Sequence, residues 1–242
     1  MERREFLKRS AVFLSSILIS NKSKASGEEN SNKQDIELEP LDPRKNIYLT
    51  IDDGPRKNMP KILENLGNNK VIFYLIGNQI KNQSGFDMAC KAVERGHILG
   101  NHSYSHPAFS GISFEKAKDE ILKTEELIEK AYSHLSVIRF KKFFRFPYGA
   151  KKASVAEFLE ENEYETQFWD IDSEDWKHYS KSHKSEGRIL KDCIGAKEGD
   201  IVLTHDLPIT AESIIPAYIN SLEYKLIIPF AQDIIPEFHE LA

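Results

Sequence analysis

The chain has 242 residues, 40% of them hydrophobic and 29% charged, with a formal net charge of −5. That length holds one domain with a sizeable core, and the composition is too polar for a bundle of membrane helices. Basic residues crowd the N-terminus, so the remainder is more acidic than the total; an acidic body without a basic run excludes nucleic acid and anionic membrane as partners.

Residues 1–8 read as a basic n-region, 11–20 as a short apolar stretch, and Ser23-Lys24-Ala25 offers small residues where a signal peptidase cuts. The opening Arg3-Arg4-Glu5-Phe6-Leu7-Lys8 has the form of a twin-arginine signal. Residues 1–25 are therefore expected to be an export signal. Residues 26–45 are polar and charged, hold two prolines and lack periodicity, as in a flexible linker. The folded domain is expected over 46–242.

In that domain short apolar runs alternate with helical patterns. The runs predict strands at 47–51, 71–76, 98–99, 140–146, 166–171 and 201–204, with a weaker one at 226–230. The helical patterns fall at 59–66, 86–95, 113–132, 154–161, 187–194 and 211–222. The longest has Ser113 as N-cap and Ala117, Ile121, Thr124, Ile128 and Ala131 on one face. Strand–helix alternation with continuous apolar strands means an α/β fold whose parallel sheet is buried on both faces. Cys90 and Cys193 both lie in helical patterns among apolar neighbours, which favours buried free thiols over a bridge.

Polar clusters close five of these strands. Asp52-Asp53 follow the first, His102 the third, Arg145 to Tyr148 the fourth and Asp172 to Trp176 the fifth, while His205 ends the sixth. In a parallel barrel the carboxyl ends share one face, where catalytic loops gather. An open doubly wound sheet would gather them at a crevice. Five contributing strands suit a distorted (β/α) barrel of about seven parallel strands better.

Two adjacent carboxylates at a strand end repel each other, and a cation relieves that repulsion. His102 and His106 are four apart, and Pro107 keeps His106 out of helical geometry. Two imidazoles and one carboxylate make a three-ligand site with open positions, as hydrolytic zinc needs. Zn²⁺ suits nitrogen and oxygen donors; Co²⁺, Ni²⁺ or Mn²⁺ can occupy the same set.

Taken in order, Thr50-Ile51-Asp52-Asp53-Gly54, His102-Ser103-Tyr104-Ser105-His106, Arg145-Phe146-Pro147-Tyr148, Asp172-Ser173-Glu174-Asp175-Trp176 and Leu203-Thr204-His205 resemble the five motifs of the polysaccharide deacetylases that share the chitooligosaccharide-deacetylase homology domain (carbohydrate esterase family 4). The resemblance covers 46–230. Its departures are small, with Phe73-Tyr74 where two phenylalanines are frequent and Ile51 where Phe is frequent.

The resemblance implies roles. Asp53, His102 and His106 would hold the metal, and Asp52 would be the general base. Arg145 would pair with Asp52. The backbone N–H of Tyr148 would meet the oxyanion. His205 would protonate the leaving amine, with Asp175 orienting and charging it. Trp176, Leu203 and Pro147 would line a pocket for the acetyl group. The implied partner is an acetylated polysaccharide built on N-acetylglucosamine, such as peptidoglycan, a chitin-like polymer or a surface glycan. An O-acetyl esterase acting on xylan or another glycan shares these motifs, and a non-catalytic glycan-binding domain shares the scaffold. His97 is expected to make a structural hydrogen bond, and His134, His178, His183 and His239 to be exposed.

The export reading has its own test. Replacing Arg3 and Arg4 by lysine is expected to stop export, scored by cell fractionation; unchanged export would mean an ordinary signal with a chance arginine pair.

Overall fold

The computed structural model describes residues 44–228, which fall in one compact unit. The predicted signal, nearly all of the linker, the end of the last apolar run and His239 lie outside them. Among the described residues no helix is long and apolar enough to cross a membrane.

The sheet is built on β1 (Lys45–Gly54), flanked by β2 (Ile72–Leu75) and β7 (Ile201–His205). Beyond β2 lie β3 (Ile98–Asn101), β4 (Lys142–Phe144) and β5 (Tyr164–Thr166), and beyond β7 lies β6 (Ile171–Asp172). The order is β5-β4-β3-β2-β1-β7-β6, with β8 (Tyr224–Leu226) on the first residues of β1. Every pairing is parallel. These strands are near-continuous apolar runs because helices and loops cover one face and the curled interior the other.

The seven strands curl into a half-barrel, in line with the expected distorted barrel, but it is not closed. One strand was expected over 166–171. Instead β5 ends at Thr166 on one edge of the sheet and β6 begins at Ile171 on the other. Residues 167–170 carry the chain between the two edges. An apolar run gives no hint of this division, because both halves are buried and periodicity reports burial rather than partner.

Buried side chains span the gap. The Arg145 guanidinium has no solvent exposure. It donates to the carbonyls of Gln167 and Phe168, to Thr50 Oγ1 at 2.7 Å and to Asp52 Oδ1 at 2.8 Å. Its Cζ lies 4.2 Å from the centre of the Tyr74 ring, and Tyr74 Oη donates to Gln167 Oε1 at 2.8 Å. Arg145 is therefore an interior residue, paired with Asp52 as expected. Gly100 makes room for this filling, since a Cβ there would sit 2.5 Å from the Tyr74 ring.

Among the described residues, five helices of eight residues or more cover the outside: α1 (Met59–Leu66), α2 (Gln83–Glu94), α3 (Phe114–His134), α4 (Ala153–Glu161) and α5 (Glu186–Ile194). The run expected at 211–222 becomes a π-helical turn, Thr210–Ile214, continued by the short α6 (Ile215–Ile219). Helix α3 begins as expected, with Ser113 Oγ accepting the Lys116 N–H at 3.2 Å. It buries Ala117, Ile121, Thr124, Ile128 and Ala131, and with them Glu120 and Tyr132. Cys90 and Cys193 are buried free thiols.

A buried ion pair broken on one side leaves an uncompensated charge, at a cost of about 3–5 kcal/mol. Arg145→Met is expected to lose about that much unfolding free energy in chelator-treated protein, measured by denaturant titration. Adding Asp52→Asn is expected to recover part of the loss.

Candidate metal centre

The two aspartates do different things because β1 is bulged between them. Asp52 pairs with Tyr74 and Gly54 with Leu75, so Asp53 is the extra residue, with φ of 68°. In a regular strand adjacent side chains point to opposite faces. The bulge re-aims the second one, so both carboxylates reach the mouth of the half-barrel. Asp52 turns onto Arg145, while Asp53 turns toward two histidines.

His102 follows β3 directly, and its N–H donates to the Leu75 carbonyl at 3.0 Å. Its Nδ1 lies 2.8 Å from the Arg145 carbonyl oxygen. A carbonyl only accepts, so Nδ1 carries the proton, and in the neutral ring Nε2 presents a bare lone pair. That Nε2 lies 3.1 Å from His106 Nε2, 3.5 Å from Asp52 Oδ2 and 3.7 Å from Asp53 Oδ1. His106 Nε2 lies 3.3 Å from the same Asp53 oxygen. Asp53, His102 and His106 thus offer ligand atoms within 4.8 Å of one another.

Electrostatics suit a cation there. Burial and the nearby His102 push the His106 imidazole down to about 4, which keeps it neutral at ordinary pH. Burial alone would raise Asp53, but His102, His205, His106 and Arg56 outweigh it and hold the carboxyl below its usual range. Asp53 Oδ1 is buried without a hydrogen-bond partner. An ionised oxygen left unpaired in the interior is costly, and here it faces two imidazole nitrogens. This donor set fits a divalent cation.

The loop holding the histidines is strained, since Ser103 has φ of 64° and His106 of 61°. Each such non-glycine residue costs of order 1–3 kcal/mol and persists only where its surroundings enforce it.

On the other flank stands His205, the last residue of β7. Its Nδ1 lies 2.6 Å from Asp175 Oδ1, and its N–H donates to Asp175 Oδ2 at 2.8 Å. Thr210 Oγ1 donates to the same Oδ2 at 2.8 Å, and Asp175 has no exposure. Burial pulls the His205 imidazole down, but Asp175, Asp52 and Asp53 outweigh it and raise it to about 9.

The remaining expected residues surround this centre. Tyr148 has φ of 57°, and its exposed ring packs 4.6 Å from that of His106. Pro147 and Leu203 are buried, and Trp176, half exposed, donates its N–H to Asp175 Oδ1 at 2.9 Å. Among the other histidines, His97 is buried and its Nδ1 accepts the Val71 N–H at 3.3 Å, as expected. His178 is only half exposed, with Nδ1 on the Lys184 carbonyl.

Three buried acids escaped the sequence reading: Glu120, Glu125 and Asp206. Glu120 lies on the core-facing stripe of α3, where a charged residue among apolar ones was the available signal. Asp206 Oδ2 accepts the Arg56 N–H at 2.6 Å, its N–H donates to the Asp52 carbonyl, and Arg56 in turn pairs with Asp53. Asp206 thereby braces the turn that follows the bulge. Its signal was only that it adjoins His205.

Comparison with known proteins gives the same picture. A family profile described as polysaccharide deacetylase matches residues 41–167. The peptidoglycan-N-acetylglucosamine deacetylase of Bacillus cereus is 31% identical over 67% of this chain and 56% of its own. The chitooligosaccharide deacetylase of Rhizobium leguminosarum bv. trifolii is 30% identical over 67% of this chain and 72% of its own. A solved peptidoglycan deacetylase from Bacillus subtilis superposes with a TM-score of 0.66 at 27% identity, covering 78% of this chain and 90% of that one. The chain spans little more than half of the Bacillus cereus relative and 36% of a similar one from Listeria monocytogenes. With the profile covering more than half of its length, this chain belongs to the polysaccharide deacetylase family.

Proposed function

We propose that the protein hydrolyses N-acetyl groups on a polysaccharide containing N-acetylglucosamine, using a divalent cation held by Asp53, His102 and His106. The reading is carried by one arrangement: a cation site flanked by a guanidinium-held carboxylate on one side and a carboxylate-held imidazole on the other. The relatives' names, peptidoglycan and chitooligosaccharide deacetylase, support the substrate class. Export through residues 1–25 fits a polymer outside the cytoplasm.

A bound cation supplies Lewis acidity, which polarises the acetyl carbonyl and makes water acidic enough to be deprotonated near neutral pH. The chain's own groups do the rest. Asp52, fixed by Arg145, takes a proton from the attacking water. The acetyl carbon becomes tetrahedral, and the Tyr148 N–H donates to its oxyanion. His205, held protonated by Asp175, gives its proton to the amide nitrogen, and the C–N bond breaks to acetate and a free amine. Leu203, Pro147 and Trp176 wall the acetyl pocket. Zn²⁺ is the leading cation because two imidazoles and one carboxylate suit it, with Co²⁺, Ni²⁺ and Mn²⁺ as competitors.

Acetate release from acetylated glycans is expected to stop on chelation and return with Zn²⁺. Asp52→Asn is expected to lower kcat by roughly 10²–10⁴-fold, the usual worth of a general base, while the protein keeps its metal. Full activity in that variant would falsify the assignment of Asp52. Comparing N-acetyl with O-acetyl glycans in the same assay separates amide from ester hydrolysis.

The acid side makes a signed prediction. His205 works protonated, so activity is lost as pH rises through its pKa, which its carboxylate neighbours raise to about 9. A bound cation offsets the pull of Asp52 and Asp53 and leaves Asp175 as the main support. Asp175→Asn is therefore expected to move the alkaline limb of kcat/KM to lower pH; an unmoved limb would exclude His205–Asp175 as the acid pair.

A further inference from the structure

Glu120 is a buried carboxylate that the reaction above does not use. It has no solvent exposure, and it sits on the core-facing stripe of α3. Its Oε2 accepts the Tyr104 N–H at 3.0 Å and the Ser105 N–H at 2.6 Å. Its Oε1 accepts the Ser105 hydroxyl at 2.8 Å and pairs with Lys116 Nζ at 3.2 Å. The two amides it holds belong to the two residues directly before His106.

A second segment also holds this loop. The carbonyls of Ser103 and Tyr104 accept the N–H groups of Gly77 and Asn78 at 3.0 and 2.9 Å. Gly77 permits this close approach, because a Cβ would lie 2.4 Å from Thr124 Oγ1 and 2.7 Å from the Tyr104 ring. Inside the loop, Ser103 N–H donates to Asn101 Oδ1 and His106 N–H to Ser103 Oγ. With positive φ at both Ser103 and His106, the loop departs from a relaxed path at each end of this grip.

We propose that Glu120 is a positioning residue for the metal centre: by holding the amides of Tyr104 and Ser105 it sets the reach of His106 toward His102 and Asp53, and with it the affinity for the cation. The inference rests on the cation reading above. A carboxylate is required because it accepts at both oxygens. The two backbone amides share Oε2, while Oε1 meets the Ser105 hydroxyl and Lys116 Nζ. In Glu120→Gln an amide of the same shape turns its NH₂ on one set or the other, and in either orientation the lost charge weakens the grip on the two amides without changing the volume.

The test measures metal rather than turnover. Affinity for Zn²⁺ is taken by chelator competition, and the visible spectrum of the Co²⁺-loaded protein reports ligand geometry. Outer partners of metal ligands typically govern about 10–100-fold in affinity. Glu120→Gln is expected to weaken Zn²⁺ binding by about that factor and to shift the Co²⁺ bands. Ser105→Ala, which removes one donor to Glu120, is expected to show a smaller loss in the same direction. Tyr218→Phe, which loses a buried hydroxyl bond to the Cys193 carbonyl instead, is expected to lower stability and leave both readouts unchanged. Wild-type affinity and spectrum in Glu120→Gln overturn the inference. Should that variant not fold, Ser105→Ala decides by the same two readouts, and values equal to wild type overturn it. Absence of metal binding by the wild type overturns the centre itself, a different result from either.

Discussion

The contact between Arg145 and Asp52 governs both the barrel and the site. A guanidinium is tolerated in the interior only when its donors are met and its charge is compensated. Here the acceptors come from β1 and from the segment that bridges the two edges of the sheet. The faces of Tyr74 and Trp169 add cation–π contact. One side chain therefore ties the central strand to the segment that links the two edges, and orients the carboxylate at the mouth. Its backbone contributes too, since the Arg145 carbonyl fixes the tautomer of His102.

Around the cation site one residue type is driven in two directions. His106 is held neutral by burial and a neighbouring imidazole, with its pKa near 4, as a ligand must be. The pKa of His205 is raised to about 9 by Asp175, Asp52 and Asp53, as the donor role proposed above would need. Pairs of titratable groups whose surroundings separate them in this way mark the division of labour in acid–base sites. The backbone does related work through the bulge at Asp53, which lets neighbours in the chain serve separate functions.

Much of the site was legible because its residues stand at strand ends, where an apolar run stops and a polar cluster begins. Asp52, Asp53, His102, Arg145, Asp175 and His205 could all be placed on one face from that pattern. The expected face of α3 and its Ser113 cap were legible from periodicity and capping chemistry. The division of 166–171 between opposite edges was not, since a buried run does not name its partner. The bulge was not either, because Asp-Asp-Gly gives no sign of which residue is extra. Glu120 and Asp206 stayed hidden for another reason: acids are ordinarily solvated, and only tertiary contacts reveal one that is enclosed.

The neighbours of β1 have a consequence for how the molecule is made. β2 follows it closely in the chain, but the other side of the strand is completed by β7 some 150 residues later, and its beginning by β8 later still. Until those segments emerge during synthesis, the central strand has an open edge, and unpaired edges of slow-forming parallel sheets invite aggregation. His205 arrives on that late strand, so it joins the growing chain only after Asp53, His102 and His106. A nascent chain stalled before residue 201 would thus carry Asp53, His102 and His106 without His205.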